Sequence, residues 1–186
     1  MTGRAVCTAH WRRLDGEGTD RCTLGEAEHG WLLSGQAVWR EEGAESALAY
    51  AVRCDPGWQS LSADVAGTSG GRAVALRLVR EAAGWRLNEA LQEGTAGCAD
   101  LDLCFTPATN LLPLRRLDLG ESPVPVAAAW LVPGLDAVRR LEQSYARLGE
   151  DRFRYDSPGF SAALTVHPSG FVTRYEGLWE GWVDAA

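Results

Sequence analysis

A dense set of polar side chains lies within an otherwise apolar segment, DLDLCFTPATNLLPLRRLDLG, at residues 100–120. A guanidinium fork suits phosphate or carboxylate, while carboxylate and amide groups suit sugar hydroxyls. The same carboxylates could act as general acid or base beside an arginine that stabilises developing negative charge. The segment therefore predicts either a polar site or a structural ion pair, formed by Asp100, Asp102, Asn110, Arg115 and Arg116.

The spacing within this segment favours the structural ion pair. If DLDLCF is a strand, Asp100 and Asp102 share one face and the intervening leucine points to the other. The adjacent Arg115 and Arg116 point in different directions, so at most one is expected to meet the carboxylates. A partly buried pair of this kind would tie a helix to the sheet, since removing one partner costs roughly 3–5 kcal/mol.

A second polar pair, Gln143 and Tyr145, would face one way on a strand. An amide and a phenol side by side could line a pocket that hydrogen-bonds hydroxyl groups. The alternative is ordinary cross-strand packing with satisfied hydroxyl groups, which we favour for Tyr155 and Tyr175.

Most of the chain that must position these residues alternates apolar and polar side chains. The alternating segments are RAVCTAHWRRL, WLLSGQAVW, SALAYAVRC, WQSLSADVA and RAVALRLVR in the first half, and FRYDSPGFSAALTVHPSGFVTRYEGLWEGW near the end. A period of two over so many segments is typical of half-buried strands joined by tight turns. The pattern predicts one continuous, mainly antiparallel sheet in a single domain spanning residues 1–186.

Two segments suggest helices. Thr106 and Pro107 form an N-cap followed by proline at the first helical position, and the helix should bend or stop near Pro113. The two arginines would then lie at or beyond its end. Periodicity also favours a helix over residues 135–148, although the same residues fit a strand.

Composition excludes several classes of function. The 186 residues carry a net charge of −7 and a pI near 5.0, and no basic cluster exceeds two residues, so nucleic acid and anionic membrane are poor partners. No segment suits an export signal or a membrane span, which predicts a cytoplasmic protein rather than a periplasmic one. Five cysteines without a CxxC spacing predict reduced thiols and no zinc site. No catalytic triad, metal site or phosphate-binding glycine loop is present, so we expect no cofactor, and the sequence carries no signal for an oligomeric state.

Several motifs in a fixed order resemble the bacterial family of putative glycolipid-binding proteins. They are YAVRCDPGWQS at residues 50–60, GCADLDLCFTPATNLLPLRRL at 97–117, LEQSY at 141–145, FRYDS at 153–157 and GFVTRYEGLW at 170–179. The resemblance implies a spiral β-roll, a large and mostly antiparallel sheet wrapped around a single central helix, distantly like lipoprotein carriers. It also implies a strand at residues 138–148, and we follow it there. Leu111 departs from the family pattern, which has a polar residue at that position, and Glu176 stands where proline is usual.

These sequence features are compatible with three alternative functions. The first is a non-catalytic binder that holds a small amphiphile or glycolipid inside the roll, with ligand-binding residues Asp100, Asp102, Asn110, Arg115, Arg116, Gln143 and Tyr145. The second is an enzyme of unknown reaction that uses Asp100 or Asp102 with an arginine. The third is a structural or interaction domain filled by its own side chains, which a solvent-open cavity of about 300 Å3 or more would exclude.

Overall fold

A computed structural model describes residues 4–185, and these residues form one sheet of fifteen strands. The strands are β1 (Ala5–Arg13), β2 (Glu17–Ala27), β3 (Gly30–Glu41), β4 (Ala44–Cys54), β5 (Ser60–Ser69), β6 (Arg72–Glu81), β7 (Gly84–Leu87), β8 (Ala90–Gln92), β9 (Asp100–Leu103), β10 (Val124–Leu131), β11 (Val138–Arg147), β12 (Arg152–Ser157), β13 (Phe160–Val166), β14 (Val172–Tyr175) and β15 (Trp179–Ala185). The mainly β fold class predicted from the sequence is confirmed.

Two meanders make up the sheet, and the first and last strands join them. One meander runs from β1 to β8 and the other from β15 back to β10, and β1 pairs with β15 in antiparallel register. The last strand at that edge, β9, pairs with β10 in parallel. Each hairpin therefore pairs strands that follow each other in the sequence. The β1–β15 pair joins the two meanders in the middle of the sheet.

The sheet is rolled, so strands far apart in the strand order approach each other. The backbone N–H of Ser60 on β5 donates to the carbonyl of Ala99, just before the edge strand β9, at 2.9 Å. The Ser60 hydroxyl accepts a hydrogen bond from the Leu101 amide at 3.0 Å. These bonds bring the edge strand of one meander against the other meander, and the core lies inside the resulting roll.

A short helical segment fills the inside of the roll. A 3-10 turn at Ala108–Asn110 leads directly into helix α1 at Leu111–Arg116. The hydroxyl of Thr106 accepts a hydrogen bond from the Ala108 amide at 3.0 Å and so satisfies a donor at the start of the segment. Leu111 and Leu112 are fully buried, which places the helix in the core rather than on its surface.

The helix runs past Pro113, further than the sequence suggested. Pro113 is the third residue of α1, within the first turn, where the backbone N–H groups have no partner inside an α-helix. The missing N–H of proline therefore costs no hydrogen bond there. Arg115 and Arg116 become the last two residues of the helix, as expected from the sequence.

The prediction of a helix over residues 135–148, which rested on periodicity, is wrong. The strand implied by the family resemblance is confirmed. Strand β11 pairs with β10 from Val138 to Tyr145 and with β12 over its last four residues. Hydrogen bonds to two neighbouring strands outweigh a helical pattern that only local sequence supports.

Candidate functional site

One candidate site lies inside the roll, where α1 meets the edge strand β9. Arg116 is the last residue of α1, and its guanidinium donates to the Asp100 carboxylate through Nε to Oδ1 at 3.1 Å and Nη2 to Oδ2 at 2.5 Å. Burial raises the pKa of Asp100, and the hydrogen bonds from Arg116 oppose this rise. The expectation that only one arginine meets the carboxylates is confirmed.

The second carboxylate, Asp102, bonds to an amide rather than to a cation. The Gln143 side-chain nitrogen on β11 donates to Asp102 Oδ2 at 2.7 Å. Desolvation raises the pKa of Asp102 to about 6, while the bond from Gln143 and the nearby charge of Asp100 act in opposite directions. A carboxyl group with this pKa changes charge close to neutral pH.

Two further predicted residues, Asn110 and Tyr145, bond to each other. Together with Asp100, Asp102, Arg116 and Gln143, they form what we call the interior cluster. The Tyr145 hydroxyl donates to Asn110 Oδ1 at 2.9 Å, and the Asn110 amide donates to the Pro107 carbonyl at 3.3 Å. The pocket that these side chains enclose is only about 10 Å3. That space is about enough for one water molecule and far below the volume of a lipid head group.

Arg115 is the predicted residue that the fold places elsewhere. Its Nε donates to the Ser169 carbonyl at 2.9 Å, and its guanidinium lies 5.3 Å from the centroid of the Trp58 ring. Trp58 in turn stacks on Trp31 with ring centroids 4.4 Å apart. Arg115 therefore connects the end of α1 to two loops and has no part in the carboxylate cluster.

A further buried carboxylate, Asp20 on β2, was not among the site residues predicted from the sequence. The Tyr50 hydroxyl on β4 donates to both of its oxygens at 3.0 and 3.1 Å, and the Thr106 hydroxyl donates to Oδ2. Burial raises the pKa of Asp20 to about 7. The sequence did contain a signal for it. Asp20, Cys22 and Leu24 alternate along β2, so Asp20 lies on the apolar, buried face of its strand.

A solvent-open groove of about 770 Å3 lies on the outer face of the sheet. We call it the outer groove, and its lining includes His10, Arg21, Leu32, Gln36, Val38 and Trp182. His10 lies between two core residues of β1, Ala9 and Trp11, which are 0% and 2% exposed, so its own side chain points to the opposite face. The groove therefore lies outside the roll.

Four groove residues stand directly across from one another on neighbouring strands. Trp182 on β15 pairs with His10 on β1, His10 pairs with Arg21 on β2, and Arg21 pairs with Gln36 on β3. The rings of His10 and Trp182 stack with centroids 5.0 Å apart, and Trp182 is 58% exposed. The row combines an exposed aromatic ring with groups that donate hydrogen bonds.

Two further features bear on possible sites. Within residues 4–185, no cluster of three or more histidine, cysteine, aspartate or glutamate side chains is arranged to hold a metal ion. The one α-helix among those residues is too short and too polar to cross a membrane.

Comparisons with known proteins agree with this architecture. A crystal structure of a DUF1089 family protein from Pseudomonas aeruginosa superposes with a TM-score of 0.74 at 26% sequence identity, covering 87% of this chain and 91% of that one. A search of curated protein sequences finds no match. The model of a family described as "Putative glycolipid-binding" matches residues 8–181, nearly the whole chain, so this protein belongs to that family.

Proposed function

We propose that the protein binds a small amphiphilic molecule, such as a glycolipid, without transforming it, and that the ligand lies in the outer groove. The observation that carries this proposal is the volume of the groove, about 770 Å3 and open to solvent. Pockets that hold small molecules usually measure about 300–1,000 Å3.

The composition of the groove supports an amphiphilic ligand. Leu32, Val38 and Trp182 offer apolar surface to an alkyl chain or a ring. Each methylene that such a ligand buries contributes about 0.8 kcal/mol to binding. Arg21 and Gln36 offer hydrogen bonds to its polar part, so both ends of an amphiphile find partners in one groove.

The interior cluster supports ligand binding less well than the groove does. Its pocket has room for about one water molecule, and its polar groups already bond to each other. We propose that Arg116 and Asp100 seat the central helix in the roll. Contact between a ligand and the residues predicted from the sequence stays a prediction, as does a cytoplasmic location.

An enzymatic function has one observation in its favour, the pKa of Asp102 at about 6, which suits a general acid or base near neutral pH. The pocket beside Asp102 measures about 10 Å3, and a substrate would need the central helix to move before it could enter. Because Leu111 and Leu112 of that helix are fully buried, such a movement would expose core surface to water.

Native mass spectrometry of the protein purified from the organism that makes it tests the proposal. We expect a retained small molecule, which extraction and fragmentation would identify. In the variant Ala49→Trp, a bulky ring fills the groove from β4, so the retained molecule should be lost. Ala75→Trp is the matched control, since Ala75 is also an exposed alanine in the same cross-strand row but lies two strands further along.

The two variants separate the possible results. Retention by the wild-type protein and by Ala75→Trp, with loss in Ala49→Trp, supports binding in the outer groove. Retention by Ala49→Trp at the wild-type level would place the ligand elsewhere and overturn the proposal.

A further inference from the structure

The outer groove carries one positive charge without a partner, the guanidinium of Arg21. Arg21 is exposed and lies between His10 and Gln36 on the neighbouring strands. Among residues 4–185, no carboxylate lies within ion-pair distance of its guanidinium, and its side chain makes no hydrogen bond there. A free guanidinium in a concave site can bind an anion at little cost in broken contacts.

The carboxylates around the groove already have ion-pair or hydrogen-bond partners other than Arg21. Asp184 contacts Nε2 of His10 at 2.9 Å, and Glu180 pairs with Arg12. Asp20, next to Arg21 in the sequence, turns its carboxyl inward to the hydroxyls of Tyr50 and Thr106. Arg21 is therefore left as an unmatched cation, although the whole chain carries a net charge of −7.

Neutral hydrogen-bonding groups lie beside this cation. Gln36 stands directly across from Arg21 on β3, and Thr23 and Ser34 form the neighbouring cross-strand pair that lines the same groove. An oxyanion held by the guanidinium fork has further oxygens that an amide and hydroxyls can reach. Leu32 and Val38 on β3 lie on either side of these groups and supply apolar surface for a tail.

We infer that the ligand of the outer groove is an anionic amphiphile, whose phosphate or carboxylate group is bound by Arg21 while its apolar tail lies along β3. This inference rests on the proposed function and adds the charge of the ligand and the residue that selects it. Arginine suits this role because its planar fork can donate two parallel hydrogen bonds to one oxyanion.

Three amphiphiles with the same dodecyl chain test the charge of the ligand. They are dodecyl phosphate, which is anionic, dodecylphosphocholine, which is zwitterionic, and dodecyl maltoside, which is neutral. Isothermal titration calorimetry below the critical micelle concentrations should find the tightest binding for dodecyl phosphate. The substitution Arg21→Gln should weaken that binding about tenfold, the effect of losing one charge-assisted hydrogen-bonded contact, and should change maltoside binding less than twofold.

Arg72→Gln is the matched control, because Arg72 is an exposed arginine on β6 outside the groove. It should bind dodecyl phosphate like the wild-type protein. A urea unfolding curve for each variant checks that both remain folded.

The outcomes separate this inference from the proposed function. If none of the three amphiphiles binds, both fail. If dodecyl maltoside binds as tightly as dodecyl phosphate, or if Arg21→Gln has no more effect than Arg72→Gln, the anionic ligand is wrong while amphiphile binding stands. If inorganic phosphate binds as tightly as dodecyl phosphate, the tail contributes nothing and the inference is overturned.

Discussion

Arg116 and Asp100 form a two-point ion pair inside the roll, with Nε–Oδ1 and Nη2–Oδ2 distances of 3.1 and 2.5 Å. The pair joins the last residue of the central helix to the edge strand of the sheet. The Asp100 side chain is only 2% exposed, so its charge is satisfied by Arg116 rather than by bulk water. This contact links strand β9 to helix α1 within the polar segment at residues 100–120.

Removing Arg116 should destabilise the protein strongly. In Arg116→Ala, Asp100 would remain buried without its cation, and we expect a loss of about 3–5 kcal/mol in the free energy of unfolding. Urea denaturation measures this loss. The double variant Asp100→Leu with Arg116→Leu should recover part of it, because no buried charge is then left unpaired. A loss in Arg116→Ala as small as that of Arg139→Ala, which removes an exposed side chain, would contradict the assignment.

The neighbouring arginine should matter much less. Arg115 is exposed and contributes a hydrogen bond to the Ser169 carbonyl and a contact with the Trp58 ring. An exposed cation–π contact is worth about 0.5–1 kcal/mol, so Arg115→Ala should cost about 1 kcal/mol in the same assay. Equal losses for Arg115→Ala and Arg116→Ala would show that the two arginines play the same part.

The buried carboxyl of Asp20 should make the stability of the protein depend on pH. Its pKa is about 7 in the folded state, against about 3.9 in an unfolded chain. Between these values the folded state holds a proton that the unfolded state has lost, so stability falls as the pH rises from about 4 to about 7. Above that range the carboxyl is ionised in both states, and its contribution no longer changes.

Urea denaturation from pH 4.5 to pH 8, within and just above that window, tests this dependence. The variant Asp20→Asn keeps an acceptor for Tyr50 but has no proton to lose, so its stability should fall less steeply. Asp102, with a pKa of about 6, contributes in the same direction and remains in both proteins. The difference between the two slopes therefore reports Asp20 alone, and parallel slopes would rule out its titration in this range.

The hydrogen bond from Gln143 should hold down the pKa of Asp102. In Gln143→Leu that donor is lost, and the pKa of Asp102 should rise above about 6. A 13C NMR titration of the carboxyl carbon measures the shift. Glu142→Gln is a suitable control because Glu142 is exposed on the same strand, and it should leave the titration of Asp102 unchanged.

Gly35 should tolerate no larger side chain. A Cβ at this position would lie 2.3 Å from Cζ of Tyr50, whose ring crosses over Gly35 on its way to Asp20. Overpacking of this kind typically costs about 1–3 kcal/mol, so Gly35→Ala should be destabilised by that amount. A Cβ at Gly16 would meet no atom within 4 Å, so Gly16→Ala should fall within about 0.5 kcal/mol of wild type in thermal and urea unfolding.

The amino-acid sequence alone determined the local features of this protein. Alternation with a period of two predicted strands β1, β3 to β6 and β12 to β14, but periodicity predicted a helix where β11 lies. Thr106 before Pro107 predicted where the helical segment begins. The spacing of Asp100 and Asp102, with two adjacent arginines, predicted that one arginine at most would meet the carboxylates. The order of the motifs was specific enough to suggest the family. Each of these features depends on residues close together in the chain, where periodicity and capping act.

Only the tertiary structure decided which distant residues meet. It selected Arg116 rather than Arg115 for Asp100, and it made a strand of Val138–Arg147 by placing a neighbouring strand on each side. It brought Asp20 to Thr106, 86 positions away, and assembled the outer groove from five strands at opposite ends of the chain. Periodicity reports which face of a strand is buried, but the pairing of strands and the curvature of the sheet depend on the whole chain at once.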